Sequence, residues 1–143
     1  METATPALKF FLNLSKVQAI VSRRFDGGLG GLGLNEFIIL FYLNQAPDEK
    51  MRRIDLAEKI GLTASGVTRM LVPMEKVGLV NREMTEHDAR VRYVTLAPGG
   101  RRRLTEAMER AELLSQELIP TTKLKKIKGI STLMAELVGT IRG

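Results

Sequence analysis

The chain of 143 residues has no cysteine, a single histidine (His87), and no apolar run long enough for a membrane span or a secretory leader. Without cysteine there is no disulfide, no thiolate metal ligand and no thiol redox switch. One histidine leaves general acid–base and nucleophilic catalysis with little support, so an enzyme is not expected. His87 and its neighbour Asp88 could be half of a dyad or of a metal site, but no third ligand lies near them in sequence, and the pair reads as a solvated loop. No metal and no cofactor are therefore expected. The missing leader and span make a cytoplasmic location and no membrane partner the default expectation.

What is present suffices for one domain with a real core, since 44% of the residues are hydrophobic and 27% charged. A formal charge of +6 and a pI near 9.9 suggest a polyanionic partner, because cations gathered on one face attract phosphate and release its counterions. Residues 28–33, GLGGLG, match the dinucleotide fingerprint G-x-G-x-x-G letter for letter. That fingerprint needs a strand before it, so that a helix dipole and free amides meet the pyrophosphate, whereas here a helical pattern precedes it. The run is expected to be a flexible loop between two helices.

The informative stretch is residues 53–96, which reads as a short helix, a tight turn, a longer helix, and two strands joined by a charged loop. Ile54, Leu56, Ala57 and Ile60 recur at helical spacing, and Gly61 follows as a stop, where a left-handed backbone costs glycine little. Thr63 then precedes a second periodic set (Val67, Met70, Leu71, Met74, Val77) and is the expected N-cap of that helix. Small and polar residues fill the opposite face, among them Ser65, Thr68 and Arg69, which is the low-bulk, donor-bearing surface that a helix entering a major groove requires. Arg69 is the best candidate for reading a base. Pro73 falls inside the pattern and removes a backbone donor, so a kink is expected there. Residues 80–84 and 92–96 alternate as a hairpin would, with Asp88, Arg90 and Arg92 at its tip and edge. An arginine protruding there suits a minor groove.

Residues 53–100 resemble the DNA-binding lobe of the MarR family of bacterial transcription regulators. The resemblance is carried by GVTRMLVPMEKVGLVNR (66–82), similar to the family's Leu-Glu-x-x-Gly-Leu-Val-x-Arg ending, by Asp88-x-Arg90, and by Leu96 and Gly100, which match the close of the family's wing. Met74 stands where leucine is usual, Ala89 where the wing often has an arginine, and Ala97-Pro98 where a capping threonine is common. Losing an arginine at 89 leaves Arg90 and Arg92 to carry the wing, and Pro98 suits the first turn of a helix. The thiol-based peroxide sensing of some relatives is excluded by the absence of cysteine.

The flanking segments extend the reading. Residues 8–25 form a broad amphipathic stripe, residues 37–45 (FIILFYLNQ) an apolar central helix with Asn35 as its expected N-cap, and residues 46–53 a polar loop that ends in Arg52 and Arg53. Pro98 opens a long helix closed by Pro120, and a last helix carries Leu124, Ile127, Ile130, Met134, Leu137, Val138 and Ile141. A winged lobe is complete without that last stripe, so its economical burial is against a second copy, as the resemblance also implies. Lys123, Lys125, Lys126 and Lys128 crowd its start and read as a solvated face.

The expected fold is mainly α with a small β-wing, a winged helix-turn-helix at 35–97 with dimerisation helices at 7–26 and 98–142. The expected function is a homodimeric, sequence-specific regulator of transcription, a repressor, on a pseudo-palindromic double-stranded operator, contacted through Arg53, Thr63, Ser65, Thr68, Arg69, Asp88, Arg90 and Arg92. The resemblance implies release by a small aromatic effector, although aromatic residues make up only 5% of the chain and leave few rings to stack on one. The alternative is a winged-helix module that docks another protein and binds no specific DNA.

Overall fold

The computed structural model describes residues 3–84 and 91–142. Its first helix, α1 (Pro6–Gly28), starts where Thr5 accepts the Leu8 N–H on Oγ1 at 3.2 Å and Pro6 occupies a first-turn position that needs no donor. The glycine run that follows is a packed turn rather than a flexible loop. Gly30 and Gly31 take positive φ (69° and 94°), and the two leucines between the glycines, Leu29 and Leu32, are buried in the core. No strand leads into it, so the dinucleotide reading has no structural basis.

Helix α2 (Leu34–Gln45) begins one residue before Asn35, which is therefore not its cap. The acceptors come from farther away: Asp26 Oδ1 takes the Leu34 N–H at 2.7 Å and Glu36 Oε1 the Gly33 N–H at 2.8 Å. Ile39, Leu40 and Leu43 bury one side of α2 completely. The polar segment expected as a plain loop holds a short turn at Pro47–Glu49 and then a strand, β1 (Lys50–Arg52). Three residues are too few to show alternation, and the strand exists because an edge was waiting for it: Met51 lies opposite Val94 of the hairpin.

Helix α3 (Arg53–Ile60) ends at Gly61, whose φ of 76° is left-handed, and α4 (Ala64–Lys76) starts after Thr63. Pro73 does not end α4, which continues through it for another turn to Lys76. The strands β2 (Val80–Met84) and β3 (Arg92–Leu96) pair antiparallel from Val80 opposite Leu96 to Met84 opposite Arg92. The sheet order is β1-β3-β2.

Helix α5 (Pro98–Leu118) leaves this sheet at an unusually close crossing. A Cβ placed on Gly100 would stand 2.1 Å from the Leu79 carbonyl oxygen, and one on Gly99 2.7 Å from that of Gly78, so glycine is required where the backbones meet. Along α5, Leu104, Ala107 and Ala111 join the same core as Leu56, Val67, Leu71, Met74, Val80 and Val94. The last helix, α6 (Leu124–Arg142), follows a short turn at Thr121–Lys123. Its Leu124, Ile130, Leu133, Met134 and Val138 stay exposed, as do Leu8, Phe11, Leu12, Val17 and Ile20 of α1.

Candidate nucleic-acid interface

Two helices joined by a glycine turn present one of them, α4, to solvent along a single side. Val67, Leu71 and Met74 bury its inner stripe, and Ser65 and Arg69, one turn apart, are exposed on the outer one. Thr63 fixes the start of that surface. Its Oγ1 accepts the Gly66 N–H at 3.0 Å and lies 3.4 Å from the Ser65 hydroxyl, which satisfies one free donor of the first turn. The remaining amides of that turn are a place where an anion is favoured.

Thr68 and Arg53 are arranged differently from the exposed contacts that the sequence suggests. Both are half-buried. The Thr68 hydroxyl donates to the Ala64 carbonyl at 2.9 Å and accepts from Arg53 Nη1 at 3.0 Å, so these two residues bridge α3 and α4. Arg53 Nε is buried, with no hydrogen-bond partner among the described residues.

The hairpin is tied to the recognition helix by charge. Arg82 of β2 holds Glu75 of α4 through Nε, a contact that gives a physical role to two positions of the quoted family pattern. Sequence reasoning did not find this pair, although opposite charges seven residues apart across the Gly78 turn were its only signal. At the other edge, Lys50 Nζ lies 3.6 Å from Glu83 and 5.3 Å from the centre of the Tyr93 ring. Arg92 is exposed at the start of β3, with Nη1 3.7 Å from Met84 Sδ across the ladder. Together with Arg52, Arg53, Ile54 and Val91 it lines a cavity of about 110 Å³ between the start of α3 and the root of the hairpin. Asp88, Arg90 and His87 lie outside the described residues.

Two further ion pairs brace this face. Arg52 Nε donates to Asp55 Oδ2 at 2.9 Å, and that hydrogen bond holds the Asp55 carboxyl below its ordinary value while raising the guanidinium further. Arg101 of α5 grips Glu49 with both arms, Nε reaching Oε2 at 3.0 Å, and again the hydrogen bond leads in lowering the glutamate. Among the described residues no group of three His, Asp or Glu could hold a metal ion, and no helix is long and apolar enough to cross a membrane.

A second concavity lies between α2 and α3. Phe37, Ile38, Phe41, Tyr42, Lys59 and Ile60 line about 280 Å³, with Phe41 edge-on to Tyr42 at 5.4 Å and Lys59 Nζ 5.5 Å from the Tyr42 ring centre.

Comparison with known proteins fits this geometry. Residues 30–91 match the model of the MarR family. The chain is 23% identical over 128 residues, 90% of its own length and 76% of the other's, to a protein of Bacillus subtilis (strain 168) named uncharacterized HTH-type transcriptional regulator YdgJ. It superposes with a TM-score of 0.75 on a MarR family transcriptional regulator from Streptomyces coelicolor solved in complex with DNA, at 19% identity, covering 95% of this chain and 91% of that one. The PcaV transcriptional regulator from the same organism, solved with its natural ligand, gives a TM-score of 0.78 at 14% identity, covering 95% and 98%.

Proposed function

From the match of residues 30–91 to the MarR family model we propose that the chain is a homodimeric, sequence-specific repressor of transcription that acts in the cytoplasm and catalyses no reaction. The observation that carries this reading is the exposed polar stripe of α4, Ser65 and Arg69 beside a capped first turn, on a helix whose other side is locked into the core. Arg69 reads a base edge in the major groove, Thr63 and Ser65 approach phosphate or base, and Arg92 with Arg90 serves the flanking minor groove, where Asp88 orients the arginines. Arg53 and Thr68 lie half-buried beside that stripe, joined by a hydrogen bond.

The dimer follows from apolar surface with nothing to cover it. Leu12 of α1 is 58% exposed and Val138 of α6 is 51% exposed, on helices that the winged core does not need. In a two-fold dimer that buries both stripes, the two recognition helices would have to stand about 34 Å apart to meet successive major grooves of a pseudo-palindrome. Any shift of the winged lobes against the dimer helices changes which grooves are reached together, and this is how an effector would release the operator. The concavity of Phe37, Phe41, Tyr42 and Lys59 supports a small aromatic effector with an anionic group, rings meeting rings and the ammonium meeting the charge. The PcaV structure, solved with its natural ligand, supports regulation by a bound ligand.

The test is fluorescence anisotropy of a labelled duplex from upstream of the protein's own gene, titrated at several salt concentrations against an unrelated duplex of equal length. A preference of about 10³ or more, with two chains per site, is the expected result. Equal, weak and steeply salt-dependent binding to both duplexes would mean that the basic face is only electrostatic, and would favour a protein-docking module instead.

A further inference from the structure

We infer that Arg53 is a positioning residue, which sets the recognition helix through Thr68, and that neither side chain contacts DNA. This rests on the DNA-reading role of α4 and narrows the residues that carry it. A threonine hydroxyl has one hydrogen and two lone pairs. The hydrogen of Thr68 is given to the Ala64 carbonyl at 2.9 Å and one lone pair to Arg53 Nη1 at 3.0 Å. A phosphate oxygen needs a donor, and Thr68 has none left while its bond to Ala64 stands.

Arg53 is committed in part: of its five N–H donors one, on Nη1, is given to Thr68, and the Nε donor is buried. It is the first residue of α3, yet its guanidinium is folded back on α4, fifteen residues along the chain, with Nε buried. With Arg52, Ile54, Val91 and Arg92 it also lines the cavity of about 110 Å³ at the root of the hairpin. One side chain thus starts on the supporting helix, bonds the recognition helix and borders the cavity at the root of the hairpin. Thr68 lies one residue before Arg69, so a change in the bridge rotates the residue that faces the bases. A core contact would hold the helices together in any rotation, whereas a hydrogen bond with a fixed partner and direction selects one.

The test combines Arg53→Met, Arg53→Lys, Thr68→Val and the Arg53→Met/Thr68→Val pair in the full-length protein. Urea unfolding without DNA reads the bridge alone: the double variant is expected to be no less stable than the weaker single variant, because either substitution already breaks the bond. Strictly additive losses would overturn the bridge, whatever the protein does with DNA. Binding then separates positioning from contact. Arg53→Met is expected to lower the preference for the upstream duplex over the unrelated one by about tenfold, the equivalent of one lost charge-assisted hydrogen bond. The slope of log affinity against log salt on the unrelated duplex should stay that of the parent, since no phosphate contact is lost. Arg53→Lys, which keeps one donor for Thr68, should recover most of the preference, and a merely space-filling role would not respond to that rescue. A slope reduced by about one in Arg53→Met, with preference intact, would make Arg53 a phosphate contact and overturn the inference. If the parent protein shows no preference between duplexes, the regulator reading fails instead, and the unfolding cycle still decides the bridge.

Discussion

Gly100→Ala isolates the crossing of α5 over the root of the hairpin. The added methyl would lie 2.1 Å from the Leu79 carbonyl oxygen and 3.0 Å from both the Leu79 carbonyl carbon and Leu96 Cδ1. The first distance is shorter than real side chains tolerate and its partner is backbone, so the two segments must part by close to an ångström. Parting them strains the bond from the Ala97 N–H to the Leu79 carbonyl, now 3.1 Å, and loosens the buried side chains of Leu79, Val80 and Leu96. Overpacking of this kind costs about 1–3 kcal/mol, and a weakened backbone hydrogen bond adds about 0.5–1.5 kcal/mol. Alanine returns at most about 1 kcal/mol in helix propensity. The net expectation is a loss of roughly 1–3 kcal/mol, read as a lower urea midpoint with an unchanged slope at fixed protein concentration. Gly129→Ala is the internal control. It is the same substitution in α6 with nothing within 4 Å of the new methyl, and it should raise stability by up to about 1 kcal/mol. A Gly100→Ala protein as stable as its parent would refute the reasoning, because the crossing would then have room to spare.

Three further outcomes are expected. Arg69→Ala should cost about 1–3 kcal/mol at the specific site and relax one base preference, whereas equal losses on every duplex would make it a phosphate contact only. Leu137→Arg should break the dimer in sedimentation by putting an unpaired charge among the apolar side chains of α6, and a surviving dimer would place the interface elsewhere. The hydrogen bond from Arg101 holds the Glu49 carboxyl below the ordinary glutamate range, so its contribution is present above that range and is lost as pH falls through the lowered value. Acid unfolding of Glu49→Gln followed by circular dichroism should accordingly depend less on pH in that window than the parent does, and an unchanged profile would show that the Glu49–Arg101 pair adds nothing.

The recognition segment was legible because its signals are local. Apolar spacing, Gly61 after the first helix and Thr63 before the second specify both helices without reference to anything distant, and the alternation of residues 80–84 and 92–96 specifies the two long strands. The stripes of α1 and α6 were equally plain, since an apolar face in a polar helix is a property of the helix alone. Elsewhere the local signal misled. Asn35 has the chemistry of a cap, but Asp26 and Glu36 supply the acceptors one residue earlier. The glycine run has the composition of a flexible loop, yet its leucines had a core to enter.

The sequence by itself determined the elements, the polar stripe of α4 and the surplus of apolar surface at the two ends of the chain, because each is fixed by spacing within one segment. Only the tertiary structure decided which polar side chains are free to meet a partner. Thr68 and Arg53 look alike available in sequence, yet in space the Thr68 hydrogen goes to Ala64 and one Arg53 donor goes to Thr68. Glu75 finds Arg82, Glu49 finds Arg101 across the fold, and a three-residue strand forms because β3 offers it an edge. Hydrogen-bond capacity is finite and is allotted between segments, which no pattern within a single segment records.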